Sequence, residues 1–87
     1  MRPIKFRGRN DSGKFVYGDL THVAGMISIG GWHVDRKSVA QLVGYDKDGN
    51  ELYEGDILVD ELEQEYTAEI YDRPEKIARL KLKEKTQ

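Results

Sequence analysis

Cysteine is absent from the 87 residues. That excludes a disulfide framework, a thiolate zinc site, an iron–sulfur cluster and a cysteine nucleophile together, and it fits a reducing compartment. Histidine is scarce, so a metal site would need His22 and His33 joined by carboxylates at suitable distance; a pair of surface or hairpin histidines explains them without a metal. No apolar run approaches the roughly 20 residues of a membrane-spanning helix. The charged stretch 1–10 lacks the apolar core of a signal peptide, so a cytoplasmic protein with no membrane contact is expected. A chain of this length buries only about 60–65 per cent of its unfolded surface. With 34% charged against 38% hydrophobic residues, one domain over 1–87 with a thin core is expected, and self-association is a ready remedy.

What the chain does contain reads as mainly β. Nine glycines punctuate short stretches of Val, Ile, Tyr and Phe. Ile4 and Phe6 alternate with Lys5 and Arg7, which predicts a first strand with apolar side chains inward and basic ones outward. A turn through 10–13 leads to Phe15 and Tyr17, with a bulge or close approach at Gly18. Gly30-Gly31 predicts a two-residue hairpin that pairs Ile29 with Trp32, Ile27 with Val34, Ser28 with His33 and Met26 with Asp35. A second hairpin runs over 39–53. Its Asp46-Lys47-Asp48-Gly49 turn closes on Asp46 and Asn50 as a type I turn with a G1 bulge, and its apolar residues on both faces predict a central, covered position. Ile57, Leu58 and Val59 are expected to extend the same sheet. Alternation over 64–71 predicts a half-exposed strand. Asp72-Arg73-Pro74-Glu75 then has a capping-box pattern, predicting a short helix within 72–84; alternation of Ala78, Leu80 and Leu82 competes for a strand. The expected architecture is a small SH3-like, partly open β-barrel of antiparallel hairpins with a short C-terminal helix.

Charge is segregated along the chain although the net value is −2. Residues 1–14 hold Arg2, Lys5, Arg7, Arg9 and Lys14 against Asp11, and 15–45 balance. Residues 46–65 hold nine carboxylates against Lys47 alone, and 66–87 return to a small positive excess. The basic strand bearing Arg2, Lys5, Arg7 and Arg9 is the one stretch suited to phosphate, hence the candidate nucleic-acid contact. Trp32, Tyr45, Tyr53 and Tyr66 would serve base stacking if exposed, but a core this small is expected to claim most aromatics. The acidic block would suit magnesium-dependent hydrolysis if its carboxylates paired; a solvated edge is the simpler account. Asp46 to Asn50 places oxygen ligands at alternate positions, yet Gly49 and Ile57 stand where a calcium loop needs other residues. Ser12, Ser28 and Ser38 sit in no nucleophile elbow, and the glycines form no phosphate-binding loop. No catalytic residue, metal or cofactor is implied.

Two segments carry a family resemblance. Met1-Arg2-Pro3-Ile4-Lys5-Phe6-Arg7 and, above all, QLVGYDKDGNELYEGDI over 41–57 resemble the YopX family of phage and prophage proteins; Ile70-Tyr71-Asp72-Arg73-Pro74-Glu75 resembles that family's closing motif. The motif positions are Gln41, Gly44, Asp48, Gly49, Tyr53, Glu54, Gly55, Asp56 and Ile57, and Asp56 after Gly55 is expected to cap a turn through its side chain. Family members are typically longer, and the region before the closing motif shrinks here to about ten residues. The resemblance implies a mostly β protein of a bacterial host's mobile elements with no established enzymatic activity. The expected role is a non-catalytic accessory module that binds a host or phage protein and self-associates through strand edges. Nucleic-acid binding by the basic strand is the alternative.

Overall fold

Turns built on Asn, Asp and Gly place most boundaries in the chain. The computed structural model describes residues 4–83, of which 44% are in strands and 9% in helical turns; the class is mainly β with antiparallel pairing, and one sheet curls into a half-barrel. Two compact units divide the chain between Leu42 and Val43.

In the N-terminal unit, β1 (Phe6–Arg9) and β2 (Phe15–Gly18) pair antiparallel with Phe6 opposite Gly18 and Arg9 opposite Phe15. Asn10 closes their turn: its carboxamide oxygen accepts the N–H groups of Ser12 at 3.0 Å and Lys14 at 3.1 Å, and Gly13 takes a φ of +77°. The alternation that carries Phe15 and Tyr17 ends at Gly18, and Asp19 interrupts the strand. There β3 (Leu20–Val23) begins a second sheet with β4 (Met26–Ile29) and β5 (Trp32–His33). The Gly-Gly hairpin has the expected register, with Ile29 opposite Trp32 and Ser28 opposite His33, and the Val34 N–H donates to the Ile27 carbonyl at 3.2 Å. Both glycines have positive φ, as a two-residue type I′ turn requires. Gly8 is buried where a side chain would be crowded: an added Cβ would lie 3.1 Å from Ile29 Cδ1 and from Val34 Cβ. Phe6 and Gly8 thus face the core, and Arg7 and Arg9 face away. Ile4 departs from expectation at 74% exposure, because it precedes β1 and its pairing.

The strand β6 (Ala40–Tyr45) runs through the division. Its first half pairs with β1, Gln41 opposite Phe6. Its second half leads through the Asp46 turn to β7 (Glu51–Tyr53). That hairpin closes as expected, with the Asp46 N–H donating to the Asn50 carbonyl at 3.0 Å and Gly49 at a φ of +85°. Leu42, Val43, Leu52 and Tyr53 are all buried, so both faces are covered.

Three expectations for the C-terminal unit are corrected. The strand β8 (Ile57–Val59) does not extend the β6–β7 sheet; it is the centre of a separate one, between β9 (Glu65–Thr67) and β10 (Lys81–Leu82). The strand expected over 64–71 shortens to β9 because Ala68 exchanges backbone hydrogen bonds with Gly55 and Asp56. The helix expected within 72–84 is a single turn, α1 (Pro74–Ile77). Its N-cap is Arg73, held extended at φ −74°, ψ 135°, since a residue before proline avoids the helical region. Asp72 is therefore one residue too early to cap, and its carboxylate instead accepts the Glu69 N–H at 2.9 Å. Beyond the turn the alternating pattern prevails as β10, with Lys81 opposite Val59. Val43, Leu52, Leu58, Ala68 and Ile77 make this unit's core, with Leu80 and Leu82 packed on it.

Candidate nucleic-acid interface

Strand alternation sends Lys5, Arg7 and Arg9 to one side of β1. Antiparallel pairing puts Tyr17 opposite Arg7 and Phe15 opposite Arg9, so the aromatic pair of β2 shares their face. The contacts follow from that register. The Arg7 and Arg9 guanidinium carbons each lie 4.8 Å from the Phe15 ring centre, and Lys5 Nζ lies 5.9 Å from the Tyr17 ring centre, all within cation–π reach. The two rings are 6.4 Å apart and tilted by 42°. Cations alternating along a strand sit about 6.6 Å apart, so the face is a row of positive charge laid over aromatic carbon.

Neighbouring turns hold this row in place. The Arg9 N–H donates to Ser38 Oγ at 2.7 Å, and that hydroxyl donates to the Asp35 carbonyl at 2.7 Å. The Asp35 N–H donates to the Arg9 carbonyl at 2.8 Å. Arg2 lies outside the described residues. The sequence pattern marks Phe15 and Tyr17 as strand residues only; closing the 10–14 turn on Asn10 and Lys14 is the signal that pairs them with the basic row.

The core claims fewer of the aromatics than expected. Of Trp32, Tyr45, Tyr53 and Tyr66 only Tyr53 is buried, and Trp32 is 58% exposed because β5, its strand, is two residues long at a sheet edge. His22 shares a face with Ile27, and His33 shares the other with Ser28, so opposite faces of one sheet separate them. Among the described residues no three of His, Asp and Glu gather as metal ligands.

Two aspartates of the acidic block are spent on turns. Asp46, only 4% exposed, accepts N–H groups from Asp48 at 2.9 Å, Asn50 at 2.8 Å and Leu82 at 2.9 Å, and the Asn50 side-chain amide at 3.0 Å. Burial pushes its pKa up, but the donors from Leu82, Asn50 and Asp48 outweigh it and hold the carboxyl below its ordinary value. Asp60 accepts from Leu62 at 2.8 Å, Gln64 at 2.9 Å and the Tyr66 hydroxyl at 3.0 Å. Those bonds, the Gln64 N–H foremost, lower its pKa, while the bond to Asp60 and its charge raise that of Tyr66.

The motif positions take definite places in the fold. Gln41 pairs in β6, and Gly44 is buried against Ile77. Asp48 donates its N–H within the turn that Gly49 completes. Tyr53 is buried and its hydroxyl donates to Glu51 at 2.9 Å. Glu54 is exposed beside Gly55, whose φ is +88°. Asp56, 2% exposed, accepts the Tyr53 N–H at 2.9 Å, the turn-capping role expected of it, and Ile57 opens β8. No protein-family model matches the chain, and neither the curated proteins nor the solved structures yield a match.

Proposed function

We propose that the protein is a non-catalytic binding module, working in the cytoplasm of a bacterial host, whose β1–β2 face binds single-stranded nucleic acid. The row of Lys5, Arg7 and Arg9 over Phe15 and Tyr17 carries this reading. Guanidinium groups meet phosphate in a bidentate fork, and splayed bases stack on aromatic rings and arginine planes alike. The phage or prophage origin rests on the YopX resemblance of 41–57. Binding of a labelled oligothymidine, followed by fluorescence anisotropy, should weaken steeply with salt. Three phosphate contacts give a slope of about −2 in log K against log salt, from roughly −0.7 per contact. Arg7→Ala and Arg9→Ala should each flatten that slope by about one contact, and Phe15→Leu should cost roughly 1–3 kcal/mol. No binding at low salt refutes the reading.

Trp32 favours a second one. At 58% exposure on the edge strand β5, with Leu20 and Trp32 flanking Ile29 on one face of the β3–β4–β5 sheet, it would anchor a host or phage protein or a second copy of this chain. A mass above the monomer by light scattering, reduced by Trp32→Ser, would support self-association.

A further inference from the structure

The C-terminal unit carries a second group of cations that the β1–β2 face does not account for. Arg73, Lys76 and Arg79 recur at every third residue, before, within and after the single turn of α1, and with Glu75 they rim an open cavity of about 420 Å³. Its remaining lining is Tyr66 of β9 and Leu80. The local balance of three cations to one carboxylate stands against the acidic run of 46–65 in the same unit. Lys76 lies 4.0 Å from Asp72; among the described residues the side chains of Arg73 and Arg79 have no ion pair or hydrogen bond. Tyr66 is fixed by its far end, the hydroxyl bonding to Asp60 Oδ2 at 3.0 Å and to Gln64 Oε1 at 3.3 Å. Its ring is therefore held as a surface rather than used as a donor to a ligand. Leu80 is anchored on the core cluster.

We propose that this groove binds a nucleoside phosphate, the base lying against Tyr66 and Leu80 and the phosphate held by Arg73, Lys76 and Arg79. The volume lies in the range of small-ligand sites, roughly 300–1,000 Å³. A flat ring next to clustered cations is complementary to a base that carries phosphate, and less so to either part alone. The site is independent of the oligonucleotide reading, since the two sets of residues belong to different units.

Amide shifts in heteronuclear NMR of the full chain, titrated separately with AMP, adenosine, inorganic phosphate and phosphotyrosine, test it. AMP should move the amides of Tyr66 and of 73–80 saturably, and at least tenfold more tightly than adenosine or phosphate. Arg79→Gln and Arg73→Gln should each weaken AMP about fivefold to tenfold with the remaining spectrum intact, and Arg9→Ala should leave AMP binding unchanged. Should either arginine variant unfold, raised salt must weaken AMP on the unaltered chain. Phosphate binding as tightly as AMP, phosphotyrosine binding more tightly, AMP shifts confined to 5–18, or insensitivity to both arginine variants would each overturn the assignment.

Discussion

One side chain, the first residue of a five-residue turn, is used three times. Asn10, Asp46 and Asp60 each accept N–H groups from residues two and four positions ahead, while their own N–H donates to the carbonyl of the turn's fifth residue, Lys14, Asn50 or Gln64. The fourth position of each turn has positive φ: Gly13 at +77°, Gly49 at +85° and Glu63 at +61°. The first two turns are legible as Asn or Asp three before Gly; the third is hidden because Glu63 stands where glycine belongs. A side chain there costs roughly 1–2 kcal/mol, against roughly 0.5–1 kcal/mol of extra chain entropy for glycine. Glu63→Gly should therefore stabilise by about 0.5–1 kcal/mol in urea melts, and a loss would count against the turn. Asp46 makes a pH-dependent contribution. Its folded pKa lies below the ordinary 3.8, so its stabilisation is complete above the unfolded value and lost as pH falls through the folded one. Asp46→Asn, which resembles the protonated acid, should cost roughly 1–3 kcal/mol at pH 7 and converge with the unaltered chain as pH falls through the folded value. A cost independent of pH would assign the effect to shape alone.

Between elements, close approach decides what composition leaves open. A Cβ on Gly44 would lie 2.7 Å from Ile77 Cδ1, so β6 admits α1 only through a missing side chain. Gly44→Ala should cost roughly 1–3 kcal/mol through overpacking. Ile77→Val removes the obstructing methyl and alone costs roughly 0.5–1.5 kcal/mol. The double variant should cost clearly less than the two together; additivity would mean the alanine is accommodated elsewhere. What the sequence reveals of the elements follows the range of each interaction. The β4–β5 register is legible because Gly30-Gly31 and the apolar alternation agree within ten residues. The place of β8 is not, because its partner β10 lies more than twenty residues on and leaves no local trace. The helix and strand readings of 72–84 are each right over part of the range, since Pro74 starts a turn that Asp46, by binding the Leu82 N–H, ends in a strand. The basic row is visible in the alternation of Lys5, Arg7 and Arg9. Its aromatic layer, like the groove beside α1, depends on pairing across a turn or between elements.

At the scale of the whole chain, apolar burial is unequal. The N-terminal unit buries Ile29, Val34 and Leu42, whereas the C-terminal unit buries Val43, Leu52, Tyr53, Leu58, Ala68 and Ile77. Every residue of β3 is exposed. Burial is the main source of stability, so the unit carrying the basic face should open at lower free energy than the other. Native-state hydrogen exchange should find the β3–β4 and β1–β2 amides exchanging faster than those of β8. A ligand that binds only the closed N-terminal unit shifts that opening by mass action, about 2.7 kcal/mol or a hundredfold in exchange rate at one hundred times its Kd. Oligothymidine should thus slow exchange across β1–β2 by about that factor and leave β8 nearly unchanged. Equal slowing in both units would mean that the chain opens in one step, and slowing confined to β8 would move the binding face to the C-terminal unit.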